Sequence, residues 1–139
     1  KVDGGTNMLA SMIVAEYFKD HLWSHLAMVN RVMQERRDTM TASLAEHFGP
    51  LGPAVQWSNP PGGLFIWVKV PDDVDIAEAV RLAGSRGVVC PPGRAFSPED
   101  EDVPYLRLAF GYPSVPDIRD GIPILADCVK AASGVRVEA

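Results

Sequence analysis

Cysteine is nearly absent. The 139 residues hold only Cys90 and Cys128, and neither belongs to a CxxC pair. That rules out a disulfide framework and suits a reducing cytoplasm, where the chain is expected to reside. Histidine is also scarce, with His21, His25 and His47 alone. His21 and His25 stand four apart and could share a helix face, but two nitrogens without a third ligand read as surface polar residues. Basic charge is short too. Thirteen Lys and Arg against 18 Asp and Glu leave a net charge of -5, which argues against a nucleic-acid surface. No apolar run is long enough to span a membrane, and no signal-peptide pattern opens the chain. A P-loop, a GxGxxG after a strand, a GxSxG elbow and an HExxH helix are all missing, and no nucleophile has an adjacent base. Internal repeats and low-complexity segments are missing as well.

Hydrophobic residues make up 47% and charged residues 22%, at a length that suits one domain with a real core. The stretch Pro104 to Tyr112 reads as a strand. Period two puts Leu106, Leu108 and Phe110 on one face and Tyr105, Arg107 and Ala109 on the other. The first face is apolar and wants a helical cover. The second carries one guanidinium, which grips carboxylates in a two-pronged geometry. Arg107 is therefore either an anion hook or a strand arginine paired with Glu99, Asp100 or Glu101. Leu64 to Val70 repeats the pattern, with Leu64, Ile66, Val68 and Val70 inside and Phe65, Trp67 and Lys69 outside. Gly62 and Gly63 just before it either form a simple turn or allow close approach by something else.

Around these strands the spacing predicts a buried helix from Met8 to Lys19, presenting Leu9, Met12, Ile13, Ala15 and Phe18, after an N-cap at Thr6 or Asn7. A longer helix, Leu22 to Phe48, stops at Gly49-Pro50. It is long enough to connect two parts of a larger molecule. Val55 to Trp57 reads as a short edge strand, Asp75 to Gly87 as an amphipathic helix, and Val88 to Cys90 as a short strand before Pro91-Pro92. The acidic run Ser97 to Asp102 reads as solvated surface, and Pro116 to Ala132 as a last helix with Pro123 able to kink it. The expected fold is α+β, a two-layer sandwich. A small, mainly antiparallel sheet of three to four strands is covered by helices and preceded by a long connecting helix. Residues 1–48 are expected to be the connecting helical segment and 49–139 the small domain.

Three motifs in order carry a resemblance: Pro61-Gly62-Gly63-Leu64-Phe65-Ile66-Trp67, Gly87-Val88-Val89-Cys90-Pro91-Pro92-Gly93-Arg94-Ala95-Phe96, and Leu106-Arg107-Leu108-Ala109-Phe110. Together they resemble the C-terminal, small domain of fold-type I pyridoxal-phosphate aminotransferases of class I/II, and most of all the 2-aminoadipate and kynurenine subgroup. The resemblance implies that Arg107 binds the substrate α-carboxylate, that Gly62 and Gly63 lie beside the substrate, and that Phe65 and Phe96 line the pocket. For the two phenylalanines ordinary packing is the competing reading. It also implies that the loop with Thr6 and Asn7 approaches the cofactor site of a neighbouring subunit in a homodimer. The cofactor implied is pyridoxal 5'-phosphate, and the substrates are an α-amino acid and a 2-oxo acid. The family's serine-lysine motif, followed by Pro-Gly-x-Arg, has no counterpart here. The four lysines, Lys1, Lys19, Lys69 and Lys130, lack that context. The chain is thus expected to be a fragment without the Schiff-base lysine, inactive by itself. The same domain type occurs as the effector part of regulators fused to a winged-helix DNA reader. A non-catalytic dimerisation module is the remaining alternative.

Overall fold

The computed structural model describes residues 7–134. Helix α1 runs Met8–His47, β1 Gln56–Trp57, β2 Phe65–Lys69, α2 Ile76–Ser85, β3 Tyr105–Ala109 and α3 Val115–Ala131. Short 3-10 turns occupy Gly49–Leu51 and Gly93–Phe96. The chain divides into two compact units, one up to Val32 and one from Met33.

The described part of the first unit is helical. Asn7 caps it, accepting the Ala10 N–H on Oδ1 at 3.1 Å. Thr6, the other candidate cap, lies outside the described residues. Two expectations are corrected here. The predicted helices at Met8–Lys19 and Leu22–Phe48 are one element, because no glycine or proline interrupts residues 8–47. The expected burial also fails: Met12 is 63% exposed, and Leu9, Ile13, Ala15 and Phe18 are exposed as well. Apolar side chains ring this part of the helix, and a lone helix has nothing of its own to bury them against.

The second unit holds the sheet. Its order is β1-β2-β3, and both pairings are antiparallel. The register sets Ile66 opposite Leu108 and Val68 opposite Leu106, so the aliphatic face is continuous across β2 and β3. Those four residues, with Val70 and Phe110, are buried under α2, α3 and the end of α1. The helices contribute Ala79 and Ala83, then Ile118, Ile122, Leu125 and Val129, then Met40, Leu44 and Phe48. The fold is α+β, as the alternation in the strands requires.

Two strand expectations are corrected. Leu64 does not join the buried face and stays 46% exposed. It precedes the strand, its carbonyl accepts the Phe110 N–H at 2.9 Å, and its side chain lies over Gly111. A Cβ at Gly111 would come within 2.8 Å of the tip of that side chain, which would have to swing aside to admit it. Val88–Cys90 is not a strand. The Val88 N–H returns to the Ala83 carbonyl at the end of α2, and Pro91-Pro92 supply no donors to extend a ladder. What survives is the Arg107 N–H donating to the Pro91 carbonyl at 3.1 Å, beside an isolated bridge from Pro92 to Leu106.

Helix α3 begins with a full capping box. The Ser114 N–H and hydroxyl both donate to Asp117 Oδ2, at 3.0 and 2.6 Å, and the Asp117 N–H donates back to Ser114 Oγ at 3.3 Å. The hydroxyl, then the N–H of Ser114, hold the Asp117 carboxyl below its ordinary range. The helix continues through Pro123. Ser114→Ala is expected to cost about 1 kcal/mol in urea unfolding at neutral pH. Because the folded Asp117 value is depressed, the cap contribution is present above the ordinary carboxylate range. It is lost as pH falls through the depressed value, so the difference between the proteins should shrink in acid.

Candidate carboxylate-binding site

Arg107 lies on the sheet face opposite the core, as period two requires. The register places Trp67 directly across from it. Its guanidinium carbon is 4.1 Å from the centre of the Phe65 ring and 3.8 Å from that of Phe96. Phe65 arrives on β2 and Phe96 on the 3-10 turn that follows Pro91-Pro92. A planar cation between two π faces is held in orientation while its N–H groups stay available, since stacking uses the face and hydrogen bonding uses the edge. The alternative reading, pairing with Glu99, Asp100 or Glu101, is not what the structure has. Among the described residues Arg107 has no carboxylate partner, and its buried Nε lacks any hydrogen-bond acceptor. An unsatisfied donor on a buried part of a cation is costly, and such an atom calls for an explanation. Nε is closed to solvent, so an anion would reach the guanidinium through its terminal nitrogens.

Arg107 is among the residues lining a cavity of about 410 Å³, but most of that wall is core-side, with Met40, Leu108, Ile118, Ile122 and Leu125, and neither Phe65 nor Phe96 borders it. Asp117 does not compete for the guanidinium, because its carboxylate is engaged by Ser114. A larger cavity, about 570 Å³, lies between Asp72, Asp75, Asp102 and Arg94. Its one cation, Arg94, is already paired with acids.

Of the other residues singled out by sequence, Phe65 and Phe96 converge on Arg107. Gly62 and Gly63 precede β2, and nothing among the described residues lies within 4 Å of a Cβ added to either. Gly63 has φ +88°, a left-handed turn that favours glycine by itself. Asn7 serves as a helix cap in the first unit.

Sequence reading overlooked two supporting features. Trp67 meets the Phe96 ring edge-on at 5.5 Å and the Tyr105 ring at 6.4 Å, forming an aromatic wall beside the stack. Both lie on the faces assigned to Arg107, so pairing the two strands in register would have found them. Arg94 donates from Nε and Nη2 to both oxygens of Asp100 at 2.9 Å, and from Nη1 to Asp102 at 3.4 Å. The acidic run is exposed, as expected, but two of its members are committed to this cation.

Metal and thiol chemistry find no support here. Among the described residues no cluster of His, Cys, Asp or Glu could hold a metal ion. Burial first, and the neighbouring Cys128 second, push the Cys90 thiol up to about 11, far from a reactive thiolate. The residues present also do not fit a pyridoxal group. No lysine lines the cavity beside Arg107, and its one acid is held in the helix cap. Lys19 pairs with Glu16, while Lys69 and Lys130 project from β2 and α3.

The chain is 34% identical over 93% of its length to aromatic-amino-acid aminotransferase 1 of Thermococcus litoralis, of which it spans 30%. It is 28% identical over 94% of its length to the HTH-type transcriptional regulator YdfD of Bacillus subtilis, spanning 26% of it. The α-aminoadipate aminotransferase LysN from Thermus thermophilus, solved with N-(5'-phosphopyridoxyl)-L-leucine, superposes with a TM-score of 0.82 at 27% identity. That match covers 94% of this chain and 33% of LysN. The chain thus spans about a third or less of the relatives it matches, and corresponds to their C-terminal portion. The family model described as aspartate amino-transferase matches residues 7–138, and the chain belongs to that family.

Proposed function

We propose that this chain is the substrate-carboxylate-binding, C-terminal part of a pyridoxal-phosphate aminotransferase that moves an amino group from an α-amino acid to a 2-oxo acid. The observation that carries this reading is the guanidinium of Arg107, stacked between Phe65 and Phe96 and without a carboxylate partner among the described residues. Both substrates present a carboxylate next to the reacting carbon. A bidentate hold on that group fixes the direction of the rest of the molecule. Phe65 and Phe96 set the plane of the fork, and Gly62 and Gly63 leave the approach to it open. Residues 1–48 would connect to a large domain bearing the Schiff-base lysine, and 49–139 form the small domain. Thr6 and Asn7 would face the cofactor site of the other subunit of a homodimer. The cytoplasm is the compartment this chemistry suits. Among the described residues no helix is long and apolar enough to cross a membrane.

The test uses the chain itself. Incubated with pyridoxal 5'-phosphate and reduced with borohydride, it is expected to show no stoichiometric adduct in its intact mass. One specific adduct would make a lysine of this chain the anchor and overturn the assignment. A second reading, effector domain of a winged-helix regulator, is favoured by the similarity to YdfD. A basic DNA-binding segment encoded upstream would select it.

A further inference from the structure

We propose that Arg94 is a positioning residue: by binding Asp100 and Asp102 it clamps the 93–102 segment shut and so holds the Phe96 ring on Arg107. The inference rests on the reading of Arg107 as the carboxylate hook. The segment is anchored at one end by packing. Gly93 is buried, and a Cβ there would come within 2.7 Å of Val103 and 3.0 Å of Tyr105. One turn later, Phe96 reaches the guanidinium and the edge of Trp67. Beyond it the chain leaves the sheet through Ser97 and Pro98 and returns at Val103. Hydrogen bonds within the segment are few: Ala95 N–H to Pro92 O, Ser97 N–H to Arg94 O, and two long ones of 3.3 Å onto Ser97. The link that closes the loop is the two-pronged Arg94–Asp100 pair with Asp102 as a second acceptor.

Asp100 supplies a second sign of closure. Its φ is +57°, a left-handed conformation unusual for a residue other than glycine, and its carboxylate in that conformation takes both prongs of Arg94. An isolated exposed ion pair contributes little, but a fork on one acid with a second acid behind it restrains the backbone on both sides of the loop. Phe96 itself is 40% exposed, so its place on Arg107 depends on the segment more than on burial. Removing the clamp leaves Arg107 stacked on Phe65 alone. Its fork is then less fixed in direction, and binding of any carboxylate substrate weakens.

The experiment measures KM and kcat for amino and oxo acid in the full-length polypeptide that carries this chain. Arg94→Gln is expected to raise both KM values by about 3- to 10-fold and to leave kcat within about twofold, the range of one lost cation–π contact. Phe96→Leu should do the same, and the double variant should be no worse than either single one, because Arg94 acts through Phe96. Exchanging the charges, Arg94→Asp with Asp100→Arg, should restore most of the loss. Raised ionic strength should raise KM more in the parent than in Arg94→Gln, where only the Arg107–carboxylate attraction is left to screen. Should Arg94→Gln fail to fold, Asp100→Asn carries the same expectation. Arg107→Lys is run alongside. If it raises KM sharply while Arg94→Gln and Asp100→Asn change nothing, or if the Arg94 and Phe96 effects add, the clamp is wrong and the hook stands. If Arg107→Lys changes nothing, the hook itself falls and the clamp with it.

Discussion

Arg107→Ala, made in the full-length polypeptide, is expected to raise KM for the amino acid and for the oxo acid alike by about 30-fold or more. Truncating one member of a buried, hydrogen-bonded charge pair costs about 2–5 kcal/mol, and each 1.4 kcal/mol is tenfold. The two substrates share the carboxylate and differ at the neighbouring carbon, so a residue that reads only the carboxylate must affect both. An effect on one substrate alone would move Arg107 from recognition to chemistry. Unchanged kinetics would remove it from the site. Arg107→Lys separates charge from shape. It keeps the cation but loses the planar fork and the double stacking on Phe65 and Phe96, so it should fall between the parent and the alanine variant. Thermal unfolding of each variant guards against a trivial loss of fold. The Arg107 guanidinium makes no ion pair among the described residues, so its removal should leave stability nearly intact.

The largest stability effect is expected elsewhere, at Phe110. The ring is 1% exposed, immediately after β3, in the core that joins the sheet to α3 and the end of α1. Its backbone N–H keeps its bond to Leu64 in any variant, so a substitution reads packing alone. Phe110→Ala should cost about 3–5 kcal/mol, from lost transfer energy and the cavity left behind. Against the 5–15 kcal/mol that holds a typical domain together, that is enough to shift the urea midpoint far to the left. Tyr112→Ala, two residues on and 93% exposed, should change stability by less than about 0.5 kcal/mol. A small effect at Phe110 would mean that the aliphatic face of β3 is not the centre of the core.

The strands were legible because their alternation is strict. Leu106 and Leu108 face Ile66 and Val68, as period two demands, and Arg107 stands on the other side for the same reason. The misreadings came from forces that pattern does not carry. The break expected between Lys19 and Leu22 had no glycine or proline behind it, so α1 runs on. Burial of the first helix was inferred from apolar content, but burial needs a partner surface as well as apolar side chains. Val88–Cys90 has strand composition, yet two following prolines and a return bond to α2 decide its backbone. At the site, sequence singled out Arg107, Phe65 and Phe96, and the structure brings the three together. Sequence could not tell which of several cations would claim the acidic run, because Arg94 and Arg107 carry the same guanidinium and differ only in reach. Asp100 bonds Arg94, and that choice leaves Arg107 without an acid.

The pairing of Pro91 and Pro92 with β3 bears on how this molecule meets others. A five-residue strand at a sheet margin normally offers its open carbonyls and amides to any extended segment that drifts past, the route to fibrils and strand exchange. Here the Arg107 amide is already taken by the Pro91 carbonyl, and the prolines that occupy the margin have no amide of their own to offer. At the opposite margin β1 is two residues long, too short a template to recruit a strand. With the Arg107 amide taken at one margin and only a two-residue strand at the other, the sheet is a weak seed for backbone-driven aggregation. Any assembly built on this unit must be written in side chains, which can be specific, rather than in backbone, which pairs with any extended chain.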